Sequence, residues 1–210
     1  LIRPKNEQQP SKYTVMAEDG EYPLLIKRMH QQNMVTFTKE PMVINGVFGV
    51  VKDVTKQRLI IDARPANALF VESPPVELPT PDLFANFIIP DDQQLYVAKA
   101  DLCNFYHRIK LPPQWHPYFA LPAGDVDAKE FDENDMIHPC CSTLPMVFSH
   151  SVYLAQMAHL NIINSRTSLR SADRIIRNGE FALNRLRHCI YIDDSVMVST
   201  NEHSIHRAQD

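Results

Sequence analysis

Two adjacent aspartates, Asp193 and Asp194, interrupt the apolar segment HCIYIDDSVMV at residues 188–198. Two carboxylates about 4 Å apart repel each other by about 4 kcal/mol at an effective dielectric constant near 20. The pair therefore either points into water, as Asp-Asp pairs in turns do, or binds a cation. The apolar residues on both sides predict the two strands of a β-hairpin, with the aspartates at its turn.

A third aspartate, Asp101, follows the apolar run LYVAKA and is expected to end a strand. A carboxylate in that position emerges at the sheet edge where ligands commonly bind, although it can equally cap the following turn. Three carboxylates on neighbouring strands are what two divalent cations need in nucleotidyl transfer, where one ion activates the attacking hydroxyl and the other stabilises the leaving phosphates. Asp101, Asp193 and Asp194 are therefore candidate metal ligands.

Several elements must position these residues. The β-rich runs at 43–51 and 58–62 predict two antiparallel strands joined by the charged loop KDVTKQ. The prolines of ESPPVELPTPD forbid regular structure and predict an extended surface segment, followed by a short helix that begins near Pro81. The apolar spacing in FSHSVYLAQMAHLNII, residues 148–163, predicts a long helix packed under a sheet.

Two charged segments complete the pattern. The segment AGDVDAKEFDENDM, residues 123–136, predicts an exposed acidic loop or hairpin. Four arginines share one face if the segment that leads to Leu186 is a helix, and they would form either a solvated face or a phosphate-binding patch; they are Arg166, Arg170, Arg174 and Arg177. Strands interleaved with helices, with local hairpins, indicate the α+β class.

The composition is that of an ordinary globular protein. The 210 residues are 44% hydrophobic and 22% charged, enough for one large domain or two small ones. No apolar run reaches about 18 residues and the N-terminal residues are too polar for a signal peptide, so we expect an intracellular chain, cytoplasmic or nuclear, with no membrane partner. The net charge of −4 leaves room only for a local nucleic-acid patch. The four cysteines have neither disulfide nor zinc spacing.

Four blocks of the sequence resemble the reverse transcriptases. YIDD at 191–194 is similar to their YxDD motif, DLCNFYHRIKLP from Asp101 to the motif of their first catalytic aspartate, and TLPMVFSHSVYLAQ to their LPxGxxxS block. VFGVVKDVTKQRLIIDARPAN resembles their fingers hairpin, with an R-x3-D-x-R-x2-N pattern at Arg58, Asp62, Arg64 and Asn67. The blocks occur in the family's order over about residues 43–198. Their residues resemble those of retroelement enzymes more than those of retroviral enzymes.

The resemblance implies a right-hand polymerase of the α+β class. It predicts an N-terminal extension at 1–40, fingers at 41–95 with the β-hairpin at 43–62, and a palm at 96–210 whose antiparallel sheet is backed by helices. A fingers-like insertion would occupy about 111–142. No thumb is expected, so a further polypeptide would supply it.

The resemblance also implies an RNA-directed DNA polymerase, which adds deoxynucleotides to a DNA or RNA primer on an RNA template. Its cofactor would be two Mg²⁺ ions, with Mn²⁺ as the alternative, held by Asp101, Asp193 and Asp194. The remaining roles are those of the nucleotide site: Tyr106 beneath the incoming sugar, where its ring blocks a ribose 2′-OH; Arg58, helped by Lys52 or Lys56, on the triphosphate; and Met146 and Val147 beside the nucleotide and template.

Two departures from the family pattern, Val147 and the expected lack of a thumb, favour a different function. Val147 stands where the family has glycine, and its branched side chain would obstruct the approach of nucleotide and template. The alternative is a degenerate reverse-transcriptase-like domain with a structural or nucleic-acid-scaffolding role in a larger complex. The carboxylates, Tyr106 and Arg58 favour the polymerase, and Val147 with the missing thumb favours the scaffold. Individually, Arg58 is also explained as a surface charge and Tyr106 as a core aromatic residue.

Overall fold

A computed structural model describes residues 2, 15–16, 20–85, 87, 89–123, 137–177, 179 and 182–209 of the chain. The elements are, in chain order, β1 Val15–Met16, α1 Glu21–Gln31, β2 Val35–Thr38, β3 Gly46–Asp53, β4 Lys56–Asp62, α2 Arg64–Asn67, α3 Asp82–Ala85, β5 Tyr96–Asp101, α4 Phe105–Arg108, a 3₁₀ helix Pro113–Phe119, β6 His138–Cys141, α5 Ser151–Arg166, a 3₁₀ helix Ser171–Asp173, β7 Arg187–Tyr191, β8 Asp194–Ser199 and α6 Glu202–Gln209. Helices mixed with antiparallel sheets confirm the predicted α+β class.

The chain divides into two compact units, each made of two segments. The first unit is Leu1–Ser73 with Tyr106–Ser151, and the second is Pro74–Phe105 with Val152–Asp210. The fingers and palm bounds, 41–95 and 96–210, stay a prediction from the resemblance. Of the helices in the described ranges, none has the length and apolarity needed to cross a membrane.

The first unit contains a hairpin that is tighter than predicted. β3 and β4 pair antiparallel, with Gly46 opposite Asp62, and β1 adds to β3 in parallel. The charged loop expected at 52–57 is wrong, because the strands extend through most of it and the turn is only two residues. Asp53 holds this turn, since its Oδ1 accepts the backbone N–H and the hydroxyl of Thr55, both at 2.9 Å. These hydrogen bonds keep the pKa of Asp53 below its ordinary value.

The core of the first unit is aromatic and contains one buried amide. Phe70 has no exposed surface, and the rings around it have centroids 4.9–6.1 Å away; they are Trp115, Tyr118, Phe119, Phe148 and His150. Asn45, also fully buried, donates from Nδ2 to the carbonyls of Tyr118 and Ala120 and accepts the N–H of Ala66. Its side chain thereby ties the segment before β3 to two other segments of the unit.

The second unit is built on a three-stranded antiparallel sheet in the order β5-β8-β7. Both the predicted hairpin of 188–198 and the predicted strand ending at Asp101 are confirmed. One face of the sheet packs on α5 and α6 through a core that includes Ala98, Ile190 and Met197 with Ile163 and Ile205. The predicted long helix under the sheet is therefore confirmed as α5.

The opposite face of this sheet is apolar at one end. Cys189 and Val198 pack there with Leu83, Ile175 and Leu183. The proline-rich segment that precedes α3 contains neither helix nor strand, as predicted from its prolines.

The predicted arginine-bearing helix is wrong. α5 ends at Arg166, where the hydroxyl of Thr167 donates to the carbonyl of Ile163 and accepts the N–H of Leu169. Arg170 has an extended backbone, and the backbone of Arg174 forms an isolated parallel β-bridge with that of His188. The four arginines therefore do not share a helical face. The predicted acidic loop lies outside the described residues, apart from Ala123.

Burial of His188 predicts a loss of stability in acid. Only 1% of this residue is exposed, and its Nδ1 has no hydrogen-bond partner among the described residues. Burial lowers the pKa of His188 from its ordinary 6.5 to about 4. Between these values the unfolded chain binds a proton that the folded chain does not, so the free energy of unfolding should fall by up to about 3 kcal/mol as the pH drops from 6.5 to 4.

Urea unfolding between pH 4 and pH 7.5 measures this loss. His188→Leu should flatten the acid-side slope and keep the stability near pH 7, because it removes a buried polar atom that has no partner. His203→Leu is the matched control at an exposed position of α6 and should keep the slope. Equal slopes for the parent chain and His188→Leu would contradict this prediction.

Candidate active site

The structure brings Asp101 to the hairpin that carries Asp193 and Asp194. Asp101 ends β5 and lies directly opposite Asp194, the first residue of β8. The N–H of Leu102 donates to the carbonyl of Asp193 at 3.0 Å, which extends the pairing by one residue. Residues directly opposite each other in an antiparallel pair share a face and have Cβ atoms roughly 5 Å apart. Two carboxylates therefore meet at one end of the sheet, with the third on the adjoining turn.

The turn that holds Asp193 has a strained backbone. Ile192 has a φ of 58°, a left-handed conformation that β-branched residues rarely adopt. Such a conformation costs about 1–3 kcal/mol and persists only where the surroundings impose it. The strain lies directly beside the candidate ligands.

Two side chains of α5 impose this conformation. The Nε2 of Gln156 donates to the carbonyl of Ile190 at 2.9 Å, and its Oε1 accepts the N–H of Ile192 at 2.7 Å. The Nδ1 of His159 lies 2.8 Å from the carbonyl of Ile192 and carries the proton, because a carbonyl can only accept. The ring of Phe105 and the imidazole pack in a T-shaped arrangement, with centroids 5.7 Å apart. We call Gln156 and His159 the turn clamp.

Sequence reasoning missed the turn clamp, although a signal was present. Gln156 and His159 are 3% and 2% exposed. They follow Val152 and Ala155 at helical spacing and so are polar residues on the buried face of the predicted helix. A polar side chain on a buried face needs a hydrogen-bond partner, and here the partner is the backbone of the hairpin turn.

A lysine beside the carboxylates was also missed. The Nζ of Lys99 lies 3.0 Å from Oδ1 of Asp194, and the two side chains are 63% and 35% exposed. At such exposure an ion pair stabilises a fold by only about 0–1 kcal/mol. The signal was its position, since Lys99 is the one charged residue in the run LYVAKA and shares a strand face with Asp101.

The carboxylate oxygens of these aspartates suit a hard cation, but the three side chains are not gathered into one set of metal ligands. Carboxylate oxygens are the ligands that Mg²⁺ prefers. Within the described residues no three His, Cys, Asp or Glu side chains are gathered so that they could hold a metal ion together. The metal-ligand roles of Asp101, Asp193 and Asp194 therefore stay predictions.

The cations predicted to bind triphosphate lie on the hairpin of the first unit. Arg58 and Lys56 are exposed and two residues apart on β4, so they share one face. Lys52 is exposed on β3, beside the register shift between Val51 and Asp53. The hairpin thus carries three exposed positive charges close to its turn.

Val147 lies in a turn held by Asn67. The Nδ2 of Asn67 donates to the carbonyl of Val147 at 3.1 Å, and its Oδ1 accepts the N–H of Ser149 at 2.9 Å. The non-glycine residues with positive φ in the described ranges are Asn33, Asn104 and Ile192, so the backbone at Val147 does not require glycine. Val147 is 42% exposed, and Met146 is half-buried.

The other residues of the predicted motifs have structural partners. Asp62 accepts from Nε and Nη2 of Arg64 at 2.8 and 2.6 Å, and these hydrogen bonds hold the pKa of Asp62 below its ordinary value. Tyr106 is a half-buried residue of α4 in the first unit. Its predicted place beneath the sugar stays a prediction.

Comparison with known proteins gives a likeness in structure only. No family model matches the chain, and no curated protein matches it. It is similar to a foamy viral protease-reverse transcriptase whose structure was solved in complex with double-stranded DNA, with a TM-score of 0.61 and 16% sequence identity. The alignment covers 98% of this chain and 29% of that one, so this chain spans less than a third of its length. At this identity the likeness shows the fold: the chain has a mixed helix and sheet fold similar to that of a reverse transcriptase.

Proposed function

We propose that the chain is part of an RNA-directed DNA polymerase of a retroelement, acting in the cytoplasm or nucleus. One observation carries the proposal: Asp101 lies opposite Asp194, beside Asp193, at one end of the sheet in a chain whose fold is similar to that of a reverse transcriptase. Natural proteins seldom place like charges directly opposite each other, because the arrangement destabilises the sheet. Such a cost is typical of a site retained for function.

Asp101, Asp193 and Asp194 would hold two divalent cations, Mg²⁺ or Mn²⁺. When bound, these ions would activate the primer hydroxyl and stabilise the leaving phosphates. The chain itself supplies the positions of the ligands: pairing of β5 with β8 sets the place of Asp101, and the turn clamp of Gln156 and His159 sets that of the turn.

The nucleotide would be bound through its phosphates, and its sugar would determine whether it is accepted. Arg58, with Lys52 or Lys56, would contact the triphosphate through charge-assisted hydrogen bonds, and their exposure on the hairpin leaves them available to a ligand. Tyr106 would lie beneath the sugar and exclude a ribose. Met146 and Val147 would line the nucleotide and template.

The template would be RNA and the primer DNA or RNA. The double-stranded DNA bound by the foamy viral protein supports a nucleic-acid duplex as ligand. A polymerase also needs contacts that hold this duplex, and a further polypeptide or further sequence would supply them.

The first experiment is primer extension on a primed RNA template with Mg²⁺ or Mn²⁺. It compares the chain as it stands, Asp193→Asn and Val147→Gly, with a longer native chain beside them. We expect deoxynucleotide incorporation that is lost in Asp193→Asn by at least about 100-fold. Val147→Gly is expected to raise incorporation if the valine hinders nucleotide or template.

Both outcomes are informative. Incorporation that depends on Asp193 establishes the polymerase. If every version is folded and none incorporates deoxynucleotides, including the longer chain, the result contradicts the polymerase and supports a scaffold role. The exposed side chain of Val147, at the position where the family has glycine, is the observation that favours this second function.

A further inference from the structure

We propose that Lys99 is a built-in counter-ion of Asp194, which a divalent cation must displace before it binds there. Lys99 would then set how much metal the site requires. The inference rests on the proposed function, because it concerns the same carboxylates.

The sheet register places the lysine among the candidate ligands. Lys99 and Asp101 are two residues apart on β5, so their side chains share one face. Asp194 lies opposite Asp101 on that same face, and Lys99 reaches it diagonally to form the 3.0 Å ion pair. Tyr191 of β7 lies opposite Asp194 on its other side and completes this end of the face.

The rest of this face leaves the ammonium group little choice of partner. Val196 is opposite Lys99 and Cys189 is opposite Val196, and both belong to the apolar cluster that Leu83 and Ile175 cover. The charged end of the face is the end with Asp101 and Asp194. Lys99 is also the only lysine in the sequence of the second unit.

The lysine offsets the repulsion that the strand pairing creates. Like charges directly opposite each other on neighbouring strands destabilise a sheet. With Asp194 paired to Lys99, the opposition of Asp101 to Asp194 is partly neutralised without a metal ion. A metal ion on Asp194 does the same, so ammonium and metal compete for one carboxylate oxygen.

The side chain can leave without disturbing the fold. It is 63% exposed, so the ammonium moves into water when displaced, and no core residue follows it. Replacing Lys99 with methionine approximately keeps the length of the side chain and removes the positive charge. We expect Lys99→Met to bind Mn²⁺ up to about fivefold more tightly, which corresponds to the upper limit of about 1 kcal/mol for an ion pair at this exposure.

The test measures metal binding directly. Mn²⁺ is titrated into the chain without nucleotide or nucleic acid, and free Mn²⁺ is followed by electron paramagnetic resonance. Lys99→Arg keeps the charge and should bind as the parent does. Lys27→Met, an exposed position of α1 in the first unit, removes one positive charge elsewhere and should also leave binding unchanged.

The second measurement is the Mg²⁺ concentration that gives half-maximal primer extension. In Lys99→Met this concentration should fall by the same factor as the Mn²⁺ dissociation constant. Unchanged or weaker Mn²⁺ binding by Lys99→Met overturns the inference, as does equal tightening by Lys27→Met or the absence of binding in every variant. The proposed function is judged separately, by whether incorporation requires Asp193. Incorporation with unaltered metal affinity in Lys99→Met thus rejects the counter-ion and keeps the polymerase.

Discussion

Replacing Asp101 with asparagine is expected to lower deoxynucleotide incorporation at least about 1,000-fold while the chain stays folded. Asparagine keeps the size of the side chain and loses the charge on which a divalent cation depends. A 1,000-fold loss corresponds to about 4 kcal/mol of transition-state stabilisation. The free energy of unfolding is expected to stay the same or to rise by up to about 1 kcal/mol, because one of two opposed carboxylates is neutralised.

Primer extension and urea unfolding, measured on the same preparations, check both parts of this prediction. Asp92→Asn is the matched control, since Asp92 is an exposed aspartate of the second unit that precedes β5. It should change neither quantity. A large loss of stability in Asp101→Asn would mean that the carboxylate holds the fold, and unimpaired incorporation would remove Asp101 from the catalytic site.

The local elements of the second unit could be predicted because their signals are local. Apart from Lys99, the run LYVAKA is apolar up to Asp101, and β5 ends there. The apolar residues on either side of the aspartate pair formed β7 and β8. The strand order β5-β8-β7 could not be predicted in this way, since about ninety residues separate the paired strands β5 and β8 and only tertiary packing selects that partner.

The two wrong elements failed for identifiable reasons. The hairpin loop at 52–57 was predicted from its charge, but charged side chains are tolerated on an exposed two-stranded tip, and Asp53 provides a compact turn. The arginine-bearing helix was predicted from spacing alone. The hydroxyl of Thr167 competes for the backbone at the end of α5 and terminates it.

The aspartates of the candidate site could be predicted from the sequence, whereas the residues that contact them or hold their turn could not. Asp101, Asp193 and Asp194 were identified from residue type and position, because carboxylates in apolar runs are conspicuous. Lys99 pairs with Asp194 from the neighbouring strand, and Gln156 binds the backbone of the turn from α5. Their contribution depends on a register and a packing distance that no single segment encodes.

Replacing Gln156 with leucine is expected to destabilise the second unit and to lower incorporation. The change leaves the buried carbonyl of Ile190 and the part-buried N–H of Ile192 without their partner, at a cost of about 2–4 kcal/mol in the free energy of unfolding. The turn would then relax from its positive φ and shift the carboxylate of Asp193. A misplacement of about 1 Å is expected to lower incorporation about 100-fold.

A second substitution separates positioning from stability. Glycine adopts positive φ without strain, so Ile192→Gly added to Gln156→Leu should recover part of the incorporation, although the buried groups still lack their partner. Asn161→Leu makes the same kind of replacement at an exposed site of α5 and should stay within about 0.5 kcal/mol of the parent. Recovery of activity without recovery of stability would identify Gln156 as a positioning residue. If Gln156→Leu instead retains full incorporation, the strained turn is not what places Asp193, and pairing of β5 with β8 is sufficient to align the carboxylates.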